Sequence, residues 1–430
     1  MLEGEDQRIR QLIELATQAR EAGRTQEESR ILQQAEAEAP RHPLVQNEIA
    51  RRLLLAGNPA GAYDVLVHAI KADPSHAPAW LNLAAALRGL KRPDEEMAAL
   101  EKVLSLEPKN LRALLQAASL QEIQGKPRAA AATYRTALQR LPPGIEPPPT
   151  MRPVLQYAKD FVEANDRALE EFLEARLKDL RAQYAHEPLD RFDRCLATLL
   201  RKRRIYRQQP SFMFFPNLPA IEFYERSDFP WLDSIEAATD DIRSELVNVL
   251  AETAGDVEPY VTLSQTTPLD QWRELNHSRR WGVYYLWREG VAYPEHLARC
   301  PRTVKALEAW PRCDVPGSAP SALFSILDAK TRIPPHSGIS NTRLIVHLPL
   351  IIPPGCSYRV GAERRDWHPG KAFVFDDTIE HEALNDADVP RAVLIFDIWS
   401  PFLTEAERAL VRSVTAGVGE YYGTRTYGEG

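Results

Sequence analysis

The sequence predicts a multidomain chain: an all-α array of helical repeats followed by a strand-rich jelly roll with flanking helices. Three observations carry that expectation. Prolines stand at positions 40, 74, 108 and 142, a step of 34. A proline-rich break follows Leu141. Short segments rich in β-branched and aromatic residues then crowd the stretch from Ser321 to Trp399. At 430 residues the chain has room for two or three domains. Its 44% hydrophobic and 26% charged content is ordinary globular composition and argues against wholesale disorder. A net charge of -7 argues against nucleic-acid binding or membrane adhesion through general positive charge, while leaving local patches open. No apolar run reaches the length of a membrane span. Cys195, Cys300, Cys313 and Cys356 lack the close pairs of a zinc site and are too few for a disulfide framework. With no basic region or apolar run in Met-Leu-Glu-Gly-Glu-Asp, the expectation is a cytoplasmic protein with reduced thiols.

In the first domain, residues 1–150, two further position classes share the period of the prolines. Gly23, Gly57 and Gly125 mark a small turn position at which Lys91 replaces glycine, and Leu32, Leu66 and Leu100 mark one apolar position in the second helix of each unit. The period is that of tetratricopeptide repeats, whose helix pairs cannot bury their apolar faces alone and must stack. Complete units are expected from Pro40 to Pro142, with a half-degenerate unit before them. Trp80, Leu83, Ala84 and Leu87 follow helical spacing, which places Trp80 between adjacent helices. The array either shields or dimerises the C-terminal domain or binds a protein partner on its concave face. His42, His68 and His76 have no companions at metal-ligand spacing. Pro142-Pro143-Gly144 and Pro147-Pro148-Pro149 interrupt any helix or central strand. Residues 151–204 then read as a charged helical connector with an apolar stripe at Val154, Tyr157, Ala158 and Phe161.

Residues 205–405 form the next expected domain, and 406–430 a C-terminal extension. Helices are expected from Trp231 to Leu250, with Asp233 and Glu236 as a start signal, and from Thr303 to Trp310. Trp281–Trp287 reads as a strand. Leu344, Val346 and Leu348 alternate with Ile345, His347 and Pro349, so His347 faces away from that apolar set. Lys371–Asp377 and Arg391–Trp399 are further strands, and together they describe a barrel or jelly roll able to hold a small ligand.

Two histidines, His336 and His381, lie 45 residues apart at expected strand edges in polar sequence, and Arg391 opens an apolar strand ten residues later. Neutral imidazoles suit Fe(II), and a guanidinium suits the distal carboxylate of a keto acid. The set therefore resembles the working parts of a 2-oxoglutarate-dependent oxygenase. The usual facial triad has Asp or Glu two residues after its first histidine, where this chain has Gly338. Asp376, Asp377 and Glu380 could supply a carboxylate or could aim at backbone donors. On chemistry alone, unrelated structural histidines remain an equal alternative.

Two longer segments sharpen the reading. The run from Pro335 to Leu350, Pro-His-Ser-Gly-Ile-Ser-Asn-Thr-Arg-Leu-Ile-Val-His-Leu-Pro-Leu, and the run Gly-Lys-Ala-Phe-Val-Phe-Asp-Asp-Thr-Ile-Glu-His-Glu-Ala from Gly370, followed by Asn385 and Arg391, resemble the two metal-ligand segments of the aspartyl/asparaginyl β-hydroxylase family. The similarity extends more weakly to Leu218-Pro219-Ala220 and Trp281. It implies a double-stranded β-helix (jelly-roll, cupin-like) domain with Fe(II) and 2-oxoglutarate as cofactors. Within it, His336 and His381 match the iron ligands and Gly338 the family's glycine in place of an acid. Arg391, Ser325 and His347 match positions that bind 2-oxoglutarate. Arg343 either meets a substrate or cosubstrate carboxylate or is a buried ion-pair partner of Asp377. The implied activity is β-hydroxylation of aspartyl or asparaginyl residues in a protein or peptide, coupled to succinate formation. The competing readings are an inactive repeat scaffold, a hydroxylase of a lipid or small molecule, and a halogenase using the position beside Gly338.

Overall fold

The computed structural model describes residues 2–141, 144, 146–252, 254–264 and 270–423. It divides into two compact units, 1–188 and 189–430. In the first, described helices α1 (Leu2–Glu21), α2 (Thr25–Glu38), α3 (Pro43–Leu55), α4 (Pro59–Ala72), α5 (Ala77–Gly89), α6 (Pro93–Leu106), α7 (Leu111–Ile123) and α8 (Pro127–Leu138) pair successively and precede the long α9 (Arg152–Gln183). The expected half-degenerate first unit is a full helix pair, with Ile9 and Leu32 buried. Each pair turns through the same device. Gly23, Gly57, Lys91 and Gly125 have φ of 69°, 74°, 57° and 70°. At each turn two N–H groups reach back to otherwise orphaned helix carbonyls, as in Gly57 N to Leu54 O and Asn58 N to Leu53 O.

A second proline series, Pro59, Pro93 and Pro127, starts the following helix two residues later, where a missing N–H costs nothing. Pro40, Pro74 and Pro108 stop the helices before them by excluding helical backbone at Ala39, Asp73 and Glu107. Pro142 and Pro143 lie outside the described residues. Leu66 and Leu100 are fully buried between repeats, each worth about 2 kcal/mol of burial. Trp80 is partly buried against the same core and donates to Pro74 O at 3.0 Å. The α9 stripe holds at Ala158 and Phe161 and differs elsewhere. Leu155, Ala158 and Val162 are buried, whereas Val154 and Tyr157 are exposed, the Tyr157 hydroxyl donating to Glu122.

The second unit opens with α10 (Asp190–Leu199), followed by α11 (Leu232–Ala237) and α12 (Thr239–Glu252). The helix expected from Trp231 to Leu250 is broken at Ala238, and Glu236 accepts from Ala372 N at 2.8 Å instead of capping a start. The helix expected from Thr303 begins earlier: α13 (Pro294–Arg299) and α14 (Pro301–Ala306) flank Cys300, and α15 (Glu405–Tyr422) closes the described chain.

The strands are β1 (Glu258–Pro259), β2 (Trp281–Arg288), β3 (Val291–Ala292), β4 (Ala322–Leu327), β5 (Thr331–His336), β6 (Arg343–Ile351), β7 (Cys356–Val360), β8 (Glu363–Arg365), β9 (Phe373–Phe375), β10 (His381–Asn385) and β11 (Arg391–Trp399). They form a larger sheet ordered β1-β2-β4-β11-β6-β9, with β3 on β2, and a smaller one ordered β5-β10-β7-β8. All the named pairings are antiparallel. Alternation along β6 decides its two faces. Leu344, Val346 and Leu348 pack with Leu232, Ile242 and Leu246 of the helices. His347 turns the other way, toward Tyr358 and Phe375 and the second core, which holds Ile333, Val360, Ala383 and Val393. Among the described residues no helix is long and apolar enough to cross a membrane.

Candidate active site

His336 ends β5 and His381 begins β10, and the two are direct partners across the smaller sheet. Forty-five residues of sequence separation thus collapse to a ring-centroid distance of 4.1 Å. His336 Nδ1 lies 2.8 Å from Pro334 O and His381 Nδ1 lies 3.1 Å from Ile379 O. A carbonyl only accepts, so both Nδ1 atoms carry the proton and both Nε2 atoms present a lone pair. Burial, then the neighbouring His381 ring, pushes the pKa of His336 down to about 3. Burial pushes that of His381 down to about 4. Both rings are therefore neutral, the state a metal requires of imidazole. Trp272 meets the His336 ring edge-on at 5.2 Å, and Trp281 lies 6.1 Å from it.

Gly338 has no room for a side chain. A Cβ there would lie 2.2 Å from Asp377 Oδ2, and Gly338 N already donates to Asp377 O at 2.6 Å. The Asp377 carboxylate occupies the volume that an acidic residue two places after His336 would need. Its Oδ1 has no hydrogen-bond partner. Asp376 is committed elsewhere, accepting from Thr378 N, Thr378 Oγ1 and Gln208 Nε2. Glu380 and Glu382 accept from Arg359. Among the described residues no group of three or more His, Cys, Asp or Glu side chains converges as a metal shell.

The larger sheet contributes Ser325 from β4, His347 from β6 and Arg391 from β11. Register sets their proximity: Val393 is opposite Ser325 and Ile395 is opposite His347. Arg391 is 1% exposed, and its Nη1 donates to Ser325 O and Oγ, each at 3.2 Å. No carboxylate among the described residues neutralises it, and its Nε has no partner. Its guanidinium carbon sits 4.8 Å over the Trp367 ring. Burial pushes its pKa down to about 10, so it stays charged at neutral pH. Trp281 Nε1 also donates to Ser325 Oγ, at 3.1 Å, leaving the serine proton to donate elsewhere. Among the described residues His347 Nδ1 and Trp367 Nε1, both buried, have no hydrogen-bond partner. This collection of unanswered donors around an uncompensated cation is costly unless an anion completes it. Tyr358 and Phe375 lie between the two groups. Tyr358 is 4.8 Å from His347 and 6.1 Å from His381, and Phe375 is 4.9 Å and 5.8 Å from the same rings.

Arg343 has a different setting. It donates to Asp397 Oδ2 at 3.2 Å and lies 3.7 Å from Asp377 Oδ2, so two carboxylates engage it. Trp281, Trp367 and Tyr358 are the site residues that sequence reasoning left without a role. Tyr358 lies on a strand of recognisable parity, whereas Trp281 opens a strand buried on both faces and Trp367 sits in a loop, where no periodicity marks either. Cys300, Cys313 and Cys356 are buried free thiols, and Cys195 is exposed.

The two neutral imidazoles could hold a divalent metal through nitrogen, and the buried Arg391 guanidinium offers a positive charge to an anion. Residues 236–401 match the family model described as aspartyl/asparaginyl beta-hydroxylase, and residues 77–110 match that for the tetratricopeptide repeat. Human aspartate beta-hydroxylase domain-containing protein 2 is 30% identical over 206 residues, 47% of this chain and 53% of that protein. Human aspartyl/asparaginyl beta-hydroxylase is 35% identical over 136 residues, 31% of this chain and 18% of that protein. The ornithine lipid ester-linked acyl 2-hydroxylase of Rhizobium tropici is 32% identical over 186 residues, 43% of this chain and 62% of that protein. The chain thus spans less than two thirds of the length of each of these relatives.

Proposed function

We propose that a hydroxylase-like domain joined to tetratricopeptide repeats makes this chain an Fe(II)- and 2-oxoglutarate-dependent dioxygenase, like a peptide-aspartate β-dioxygenase. Its substrate would be aspartyl or asparaginyl residues of a protein or peptide. The observation that carries the reading is the pairing of His336 with His381, with both Nδ1 protons held by backbone carbonyls. His336 and His381 would hold the iron through Nε2. Dioxygen would be the oxidant, and iron bound with 2-oxoglutarate would supply its activation, one oxygen atom ending in succinate and the other in the hydroxyl group, since amino-acid groups cannot oxidise an unactivated C–H bond.

The remaining work belongs to the chain. Arg391 would take the distal carboxylate of 2-oxoglutarate, a charge-assisted contact made stronger by the absence of a competing carboxylate. Ser325 Oγ, held in place by Trp281 and Arg391, would donate its proton to the same group. His347, neutral because burial and the nearby Arg391 hold its pKa well below the usual value, would add a neutral donor. Trp272, Trp281 and Phe375 would exclude water from the reacting atoms. Arg343, held by Asp377 and Asp397, would face substrate with its charge already balanced. The repeat array would recruit a protein partner or substrate, and the protein would work in the cytoplasm.

Anaerobic Fe(II) and 2-oxoglutarate titration, followed by succinate formation on aeration with candidate peptides, tests this. Activity should vanish in His336→Ala and His381→Ala; full 2-oxoglutarate-coupled turnover in either would reject the ligand assignment. The Rhizobium relative supports a second reading, oxidation of a lipid acyl chain. Succinate release stimulated by acyl lipid and not by peptide would select it. Chlorinated product in the presence of chloride would instead select halogenation.

A further inference from the structure

We propose that the surface formed by α10 and the segment after it docks on anionic phospholipid, seating the second unit on a membrane face. In a chain of net charge -7, α10 and the segment after it, residues 190–207, contain seven Arg or Lys against two acids, Asp190 and Asp193. Two of these cations are already balanced within the fold, Arg194 by Glu363 at 3.0 Å and Arg203 by Glu222. Arg191, Arg201, Arg204 and Arg207 have no carboxylate partner among the described residues. Arg204 instead lies 5.1 Å over the Tyr206 ring. Apolar side chains stand among these charges: Leu199 is 63% exposed and Ile205 is 69% exposed. None of the ten residues of α10 is buried.

A solvent-accessible cavity of about 590 Å³ opens in the same surface; Arg194, Lys202, Arg203, Arg204 and Arg359 line it, outnumbering the acids Asp190 and Asp193 that line it too. Guanidinium charges interleaved with exposed aliphatic side chains match a bilayer interface, where phosphates meet the cations and acyl chains accept the apolar groups. A free anion would use the cavity and leave Leu199 and Ile205 in water. The surface is also tied to the catalytic strand. Arg359 on β7 is opposite Glu382 on β10, one residue beyond His381, and the two side chains pair at 2.7 Å. Docking would therefore fix the orientation of the candidate active site relative to a membrane, whichever C–H bond is oxidised.

The test is co-sedimentation of the full chain with vesicles of phosphatidylcholine alone and of phosphatidylcholine mixed with phosphatidylglycerol. Binding should require phosphatidylglycerol and fall with salt. The triple variant Arg201→Glu, Arg204→Glu, Arg207→Glu should lower partition at least about tenfold. Leu199→Ser with Ile205→Ser should weaken it further at high salt than at low salt. Equal partition onto both vesicle types, or unchanged binding by the triple variant, would overturn the proposal. So would full displacement from vesicles by inorganic phosphate or by poly-glutamate at matched ionic strength, which would assign the surface to a free anion or an acidic peptide. If circular dichroism shows the charge reversals unfolded, the Arg→Gln triple replaces them, with the same loss expected and unchanged binding again overturning the proposal.

Discussion

Arg391 shows how a single residue can set stability against function. A buried guanidinium without a carboxylate destabilises the free protein, because its desolvation is only partly offset by Ser325 and the Trp367 ring. Arg391→Met should therefore stabilise the ligand-free chain by about 1–3 kcal/mol, read as a higher unfolding temperature in calorimetry, while abolishing 2-oxoglutarate binding measured by titration. Gly338 makes the opposite demand. Gly338→Asp would drive a second carboxylate into the Asp377 side chain, costing about 1–3 kcal/mol from overpacking alone and more from like charge. Adding Asp377→Gly should recover most of that loss in thermal unfolding.

Asp397 is the group with a readable pH signature. Burial raises its pKa to about 7 despite Arg343. A carboxyl whose pKa is higher folded than unfolded holds its proton more tightly in the native state. Its contribution is complete below the unfolded value of 3.8 and is lost as pH rises toward about 7. Across that window wild-type stability should decline relative to Asp397→Asn, as read from the difference between their unfolding temperatures. At this scale His336, His381 and Arg391 stood out in the sequence through the resemblance of their flanking segments, since on residue type alone structural histidines were an equal alternative; that His336 and His381 pair and that Arg391 is buried is seen only in the structure. The donors Trp281 and Trp367 were not, since an aromatic residue is usually core and nothing in one sequence says where its N–H points.

At the scale of elements, turns were more legible than helix faces. The 34-residue step fixed the positions where each repeat reverses, and the left-handed backbone at Gly23, Gly57 and Gly125 explains why glycine recurs there. Lys91 adopts the same conformation at φ 57° with a side chain that disfavours it. Lys91→Gly should stabilise the repeat unit by about 0.5–1 kcal/mol, the relief of left-handed strain less the added freedom of the unfolded chain; a lower urea midpoint would contradict this. The face of α9 was read correctly at Ala158 and Phe161 but not at Tyr157, which has an apolar ring yet spends its hydroxyl on Glu122 at the surface. In the second unit, strand parity along β6 could be read directly from Leu344, Val346 and Leu348. The partnership of β5 with β10 could not, because it joins strands separated in sequence by several others, and local pattern carries no register across such a gap.

Over the whole molecule, the division into two compact units predicts two cooperative transitions. Mn(II) with 2-oxoglutarate should stabilise the second unit alone, by about 2.7 kcal/mol at a hundredfold excess over Kd, read as a rise in its transition temperature. Calorimetry that showed both transitions moving, or neither, would contradict a binding site confined to residues 189–430. The division into helical and strand-built parts was visible in the sequence as a change of period. The charge pattern of residues 191–207 was diluted in the net figure and emerged only when paired and unpaired arginines could be told apart.

The protons on His336 and His381 are each held by the main-chain oxygen two residues earlier. Ring orientation is therefore written partly into backbone shape, since the oxygen that holds each proton belongs to the main chain. If the pair holds a metal as proposed, exchanging the aromatic side chains around it would leave those two backbone anchors in place, and the outward-facing nitrogens with them.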